Sequence, residues 1–202
     1  DLGDHRAEMV NLGPLAFALI DSRRFEEAIE ALERGLQLAN LIGARRFVPS
    51  QLAHLARIRW FQGQRDEAKA LATQAYDLFI DGKIHFAAGM VLGAVALVND
   101  EPSVRDSALR DGLAHLDGGT HSHNHLMFCR DAMEVAIRRQ DWEVASALAS
   151  RLATHTRGEP LPWADFFIER CRLIAAVVTC PGDESHRTRL VQFRRRAQEM
   201  GH

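Results

Sequence analysis

Phe25-Glu26-Glu27-Ala28 decides the fold, because it returns three times: as Arg65-Asp66-Glu67-Ala68, as Arg105-Asp106-Ser107-Ala108 and as Trp142-Glu143-Val144-Ala145. The closing alanines stand 40, 40 and 37 residues apart. Sixteen and twelve positions before each alanine lies a second pair: Leu12 and Ala16, Leu52 and Ala56, Leu92 and Ala96, Cys129 and Met133. A fixed period of this length marks a stacked array whose unit is one supersecondary motif. The motif is helical. Leu12, Leu15, Ala16 and Leu19 recur at i, i+3, i+4 and i+7, Ala28, Leu32, Gly35 and Leu36 continue the stripe on the next helix, and no stretch sustains the two-residue alternation of a strand.

Polar turns divide the two helices of a unit, at Asp21-Ser22-Arg23-Arg24, Gln62-Gly63-Gln64-Arg65 and Arg139-Gln140-Asp141. Longer breaks fall at Gly43, Asp81-Gly82, Asp100-Glu101-Pro102, Asp117-Gly118-Gly119 and Arg157-Gly158-Glu159-Pro160. Ala16, Ala28, Ala56, Ala68, Ala96, Ala108 and Ala145 let helices cross closely. The expectation is four hairpins at about 5–43, 45–82, 84–117 and 121–157, followed by helices at 161–178 and 184–200, within one continuous domain over 1–202. Pro162 suits a first helical turn. Leu190, Phe193, Ala197 and Met200 share one face of the last helix, with Arg189, Arg194, Arg195 and Arg196 on its wet side, as a cap requires. The unit resembles a tetratricopeptide repeat, whose length is ~34 residues, with longer helices. That resemblance implies an all-α, right-handed α-solenoid whose stability is spread over neighbouring interfaces rather than held in one core.

Composition narrows the function classes. The 202 residues are 47% hydrophobic and 26% charged, with 25 basic against 27 acidic side chains, so no net positive field draws polyanions and no nucleic-acid partner is expected. Lys69 and Lys83 are the two lysines; the remaining cations are arginines, which pair bidentately with carboxylates. No apolar run reaches the ~18 residues of a membrane span, so no membrane partner is expected. The charged, methionine-free start at Asp1 reads as a cytoplasmic piece of something longer. Cys129, Cys171 and Cys180 are odd in number and lack C-x-x-C spacing, so buried free thiols are expected rather than disulfides or a cysteine metal site.

Two stretches carry a more specific resemblance. His123-Asn124-His125-Leu126-Met127-Phe128-Cys129-Arg130-Asp131-Ala132, and then Glu159-Pro160-Leu161-Pro162-Trp163-Ala164-Asp165-Phe166-Phe167-Ile168, resemble the C-terminal repeat region of multidomain bacterial adenylate/guanylate cyclases. Those proteins join a cyclase domain, an ATPase module and a tetratricopeptide-like tail. The resemblance implies a non-catalytic regulatory and protein-interaction role; related tails also follow ATPase modules in transcriptional regulators. No G-x-x-x-x-G-K-[ST] loop is present, since Gly82-Lys83-Ile84 lacks the upstream glycine and the hydroxyl. No enzyme activity and no cofactor are therefore expected of these residues.

In such repeats the first helix of each hairpin lines a groove. Register on the alanines sends Phe17, Ile20, Arg57, Trp60, Phe61, Met90, Arg130, Glu134 and Arg138 there, as a site for an acidic, partly apolar protein segment or for another domain of the parent chain. Trp60 and Phe61 could instead pack on the next hairpin. No metal site is expected at His121, His123 and His125: the segment sits where a helix should start, so Ser122 or Asn124 can cap it and the imidazoles can bond loop carbonyls; the alternative is an extended segment whose imidazoles point one way and ligate a metal, with Asp117 or His115 near. Ser122 or Cys129 beside a histidine could be drawn as a dyad, although a helical cysteine at a packing position is more often a small hydrophobe. Glu26-Glu27 and Asp66-Glu67 suit helix starts. Arg187, Arg189, Arg194, Arg195 and Arg196 read as a solvated face balanced by Asp183, Glu184 and Glu199. The alternative functions are a small-molecule or metal sensor and a scaffold that brings two copies together as a homodimer.

Overall fold

The computed structural model describes residues 2–199, so Met200 lies outside the described residues. Among those residues the chain is all-helical, without strands. Four pairs run α1 (Leu2–Asp21) with α2 (Phe25–Leu41), α3 (Val48–Phe61) with α4 (Arg65–Gly82), α5 (Ala88–Val98) with α6 (Pro102–Asp117), and α7 (Ser122–Arg138) with α8 (Trp142–His155). Then come α9 (Pro162–Thr179) and α10 (Glu184–Glu199). The odd-numbered helices pack in series, α1 on α3, α3 on α5, α5 on α7 and α7 on α9, while α2, α4, α6 and α8 each also pack on the odd helix that follows.

The sequence period has a backbone counterpart. Arg23, Gly63 and Gln140 occupy the same place in their hairpins and all take the left-handed conformation, at φ 57°, 81° and 58°. In each case the next amide closes the preceding helix end: Arg24 N donates to the Leu19 carbonyl at 2.9 Å, Gln64 N to Arg59 at 2.8 Å and Asp141 N to Ala136 at 2.9 Å. The third hairpin departs from this. α5 stops at Val98, Asn99 is extended, and Glu101 accepts from Ser103 N at 3.4 Å ahead of Pro102 in the first turn of α6.

The recurring alanines Ala16, Ala28, Ala56, Ala68, Ala96, Ala108 and Ala145 are all buried at helix contacts. Glycines make the closest approaches. A Cβ at Gly89 would strike the backbone of Asn124, one at Gly93 would lie 2.7 Å from Asp131 Oδ2, and one at Gly112 would strike the Phe128 ring. All residues of α5 are buried. The core therefore differs from the evenly shared one expected of a plain stack: one large apolar cluster runs from α3 through α9, with two smaller clusters under α1 and α2. The physical reason is that α5 is apolar on every side and must be wrapped.

Leu190 and Ala197 are half-buried and Phe193 is buried against α9, while Arg189, Arg194, Arg195 and Arg196 are exposed. Arg187 pairs with Glu184, Arg195 with Glu199 and Arg196 with Glu169. The thiols require one correction: Cys129 and Cys171 are buried and free, but Cys180 is exposed, because α9 ends at Thr179 and nothing covers its C-terminal turn. Among the described residues, no helix is long and apolar enough to cross a membrane.

Candidate functional site

The odd-numbered helices converge on a buried ionic chain. Arg57 of α3 donates through Nε to Asp131 Oδ2 at 2.8 Å, again through Nη2 to the same oxygen, and from Nη2 to the Met90 carbonyl of α5 at 2.7 Å. Arg130 of α7 donates from Nε to the other oxygen of Asp131 at 3.1 Å and from Nη1 to Asp21 of α1 at 3.1 Å. Trp163 of α9 donates its indole N–H to Asp21 Oδ2 at 2.6 Å. All five odd helices thus supply a member. Two guanidiniums face two carboxylates, so the buried charge is balanced. Phe17 closes the cluster, 5.3 Å from the Trp163 ring and 5.2 Å beneath the Arg130 guanidinium.

His54, one turn before Arg57, is 4% exposed. Burial, reinforced by the charges of Arg57 and Arg130, holds its pKa well below the usual histidine value, so the ring is neutral. Its Nδ1 lies 3.3 Å from Arg57 Nη1, which has only protons to offer. Nδ1 is therefore the acceptor and the ring proton sits on Nε2. Burial lowers the basicity of Arg130 too, but Asp131 and Asp21 outweigh it and hold the guanidinium firmly charged.

This arrangement corrects the expected groove. Arg57 is fully buried and Arg130 is 8% exposed, so neither faces a partner; Ile20 and Met90 are buried as well, each meeting only the wall of a separate cleft. The sequence register brings these residues together, but the inner surface is occupied by their own counter-charges and by Trp163. Trp60 is half-buried with its ring 4.6 Å from the Arg65 guanidinium and 4.9 Å from that of Arg138. Arg138 itself donates to the Leu97 carbonyl at 2.9 Å. Phe61 and Glu134 do reach an open surface. They line a cleft of about 500 Å³ between the ends of α1 and α3 and the helices α7, α9 and α10, shared with Phe25, Phe166, Phe167 and Phe193. Phe61 stacks on Phe25 at 6.0 Å and is 45% exposed; Glu134 accepts from Arg170 at 2.8 Å.

The histidines do not converge. His121 is the residue before α7 and stacks on His123 at 5.7 Å; His123 donates through Nε2 to the Phe86 carbonyl at 2.8 Å; His125 turns away and stacks on His155 at 4.0 Å. Successive helical residues rotate by ~100°, so His123 and His125 diverge where an extended chain would have aligned them. Among the described residues no group of three or more His, Cys, Asp or Glu is placed to hold a metal. Neither Ser122 nor Asn124 caps α7. Ser122 Oγ lies 2.9 Å from His155 Nε2, and buried Asn124 accepts from Gly89 N at 2.8 Å while donating to Thr120 Oγ1 at 2.8 Å. Burial pushes the Cys129 thiol up to about 12, which keeps it protonated and a poor nucleophile.

Asp21, His54, Asp131 and Trp163 were not legible as a set. The available signal was a charged pair, Arg130-Asp131, set within the apolar residues of α7, and His54 with Arg57 within those of α3. Comparison of the chain with protein-family models, with curated proteins and with solved structures finds no match.

Proposed function

We propose that this chain is a non-catalytic, tetratricopeptide-like interaction module that binds a protein partner, or another domain of its parent chain. On this reading it passes the bound state to a larger signalling protein of the adenylate/guanylate cyclase kind with an ATPase module, whose C-terminal repeat region residues 123–132 and 159–168 resemble. The observation that carries the interaction reading is the phenylalanine-lined cleft. Phe25, Phe61, Phe166, Phe167 and Phe193 form its floor, and Arg23 and Arg194 stand on its rim without an ion-pair partner among the described residues. Aromatic floors accept apolar anchors, and unpaired arginines at a rim favour acidic flanks. The fitting partner is an acidic segment with apolar residues on one side.

The test uses two synthetic amphipathic helical peptides with the same leucine and phenylalanine face, one flanked by glutamates and one by lysines. The glutamate peptide should bind, by fluorescence anisotropy, at least tenfold more tightly than the lysine peptide. Phe61→Asp and Arg194→Glu lie at exposed positions and should each abolish that preference while leaving the fold intact. Equal binding of the two peptides, or indifference to both substitutions, would overturn the reading. Substitutions at Arg57 and Arg130 cannot serve, because both residues are buried in the ionic chain.

A further inference from the structure

A second cleft opens on the other side of the ionic chain and is built differently. It holds about 330 Å³ between α1, α3 and the starts of α5 and α7, within the size range of small-molecule pockets. Its walls are apolar: Met9, Phe17, Met90 and Met127 inside, with Phe47 and Phe86 meeting edge to face at 5.9 Å beside them. Unbranched methionines adapt to the outline of an occupant. Such a wall favours an apolar body.

One polar group opens onto it. His54 Nε2, which carries the ring proton because Nδ1 is committed to Arg57, has no hydrogen-bond partner among the described residues. The other polar side chains of the lining are committed: Ser50 donates to the Phe47 carbonyl, His123 donates to the Phe86 carbonyl, and the Gln51 amide oxygen packs against Gly35 of α2. Buried polar groups are nearly always satisfied, and an unpartnered donor in an apolar hollow calls for a missing partner.

No Asp, Glu, Lys or Arg lines the cleft. The two cations of the ionic chain beside it, Arg57 and Arg130, are already matched by Asp131 and Asp21. An ionised occupant would lose its hydration without gaining a counter-charge. We propose that this cleft binds a small, uncharged, mostly apolar molecule bearing one hydrogen-bond acceptor, such as the oxygen of a primary carboxamide, a lactam or a hydroxyl. Its acceptor takes the proton of His54 Nε2. The site is separate from the phenylalanine cleft and does not depend on the interaction reading. It does touch the ionic chain, because His54 bonds Arg57 and Phe17 rests on Trp163. Hydrogen bonds in a chain polarise one another, so an occupant on Nε2 strengthens the Nδ1 to Arg57 bond.

The experiment uses the full 202-residue chain and a neutral fluorescent reporter, N-phenyl-1-naphthylamine, displaced by four compounds that share an eight-carbon chain: octanamide, octan-1-ol, octanoate and octane. Octanamide and octanol should displace the reporter and raise the melting temperature; octanoate at pH 8 should be at least tenfold weaker than octanamide. Octane should be weaker than octanamide by a similar factor, since it offers no acceptor to His54 Nε2. His54→Phe should remove the advantage of octanamide over octane. His54 also supports Arg57, so Gly13→Leu provides the independent check: nothing lies within 4 Å of a Cβ built there, and the added side chain enters the cleft. That variant should fold with an unchanged circular dichroism spectrum and lose reporter binding by at least tenfold. Failure of the reporter to bind saturably, a Gly13→Leu variant that binds like the unaltered chain, or octanoate binding as tightly as octanamide would each overturn the proposal. None of these outcomes bears on the glutamate-peptide preference, which reads the other cleft.

Discussion

The indole N–H of Trp163 meets the carboxylate of Asp21 at 2.6 Å, across 142 residues of sequence. The first and ninth helices are thereby tied through side chains, and Arg130 occupies the second oxygen of the same carboxylate. Trp163→Phe keeps a ring against Phe17 and removes the donor. A hydrogen bond to a charged group contributes ~1.5–3 kcal/mol, and a loss of that size is expected in urea unfolding. A double-mutant cycle with Asp21→Asn should show strong non-additivity; additive losses would mean that the two groups do not interact in solution.

Asp131→Ala strands Arg57 without its carboxylate in a site that excludes water. Breaking a buried pair from one side costs ~3–5 kcal/mol. Replacing both members, Arg57→Met with Asp131→Leu, should recover a substantial part of that loss. Unfolding midpoints of the two single variants and the double variant decide the matter.

Acidification should destabilise the fold over a defined window. The His125 pKa is lowered to about 4 by burial first, then by His155 and Arg151, with Asp117 opposing. His54 and His115 are lowered for the same leading reason. In the unfolded chain these rings take protons near pH ~6.5, whereas the folded chain resists until lower pH. The unfolded state then binds more protons, so stability falls as pH drops from about 6.5 towards about 4. Melting temperature followed from pH 7.5 to 4.5 should decline, and His125→Gln should flatten the decline. An identical slope in that variant would assign the effect elsewhere.

Glycine substitutions should separate by location. Gly13→Ala meets nothing within 4 Å and should stabilise α1 by up to ~1 kcal/mol through helix propensity. Gly89→Ala drives a methyl into the backbone of Asn124, which cannot swing aside, and overpacking of this kind costs ~1–3 kcal/mol. Thermal melts of the two variants should move in opposite directions.

Thiol titration of the native chain should find one reactive cysteine. Cys180 is exposed, whereas burial raises the thiols of Cys129 and Cys171 and shields both. Ellman's reagent should modify Cys180 at once and the other two after unfolding in urea; a fast reaction at two sites in native buffer would contradict the burial of α7 or α9.

Much of the helical order was legible in the sequence because helix pairing is written in small residues at a fixed period. Ala28, Ala68, Ala108 and Ala145 mark the same contact in four hairpins, and the breaks at Gly43, Gly63 and Gly119 coincide with left-handed backbone. The candidate site was legible only in part. The register placed Arg57 and Arg130 on one surface, but a charge on the inner side of a helix looks the same whether it awaits a partner or already has one. The carboxylate that answers Arg57 lies 74 residues away, beyond the reach of any local pattern. The metal alternative at His121, His123 and His125 fails for a geometric reason: spacing by two aligns side chains on a strand and separates them on a helix. Pro14 gave a signal that periodicity does not weigh, a missing N–H in a helix that continues regardless.

The tie between Asp21 and Trp163 also sets a clock on synthesis. A ribosome adds ~5–20 residues per second, so the carboxylate of Asp21 waits ~7–30 s after its own incorporation before the indole that completes it exists. Arg130 arrives before Trp163 and takes the other oxygen of the carboxylate. Until α9 is made, the nascent chain carries an unfinished junction at α1, and a helix made later completes one made earlier.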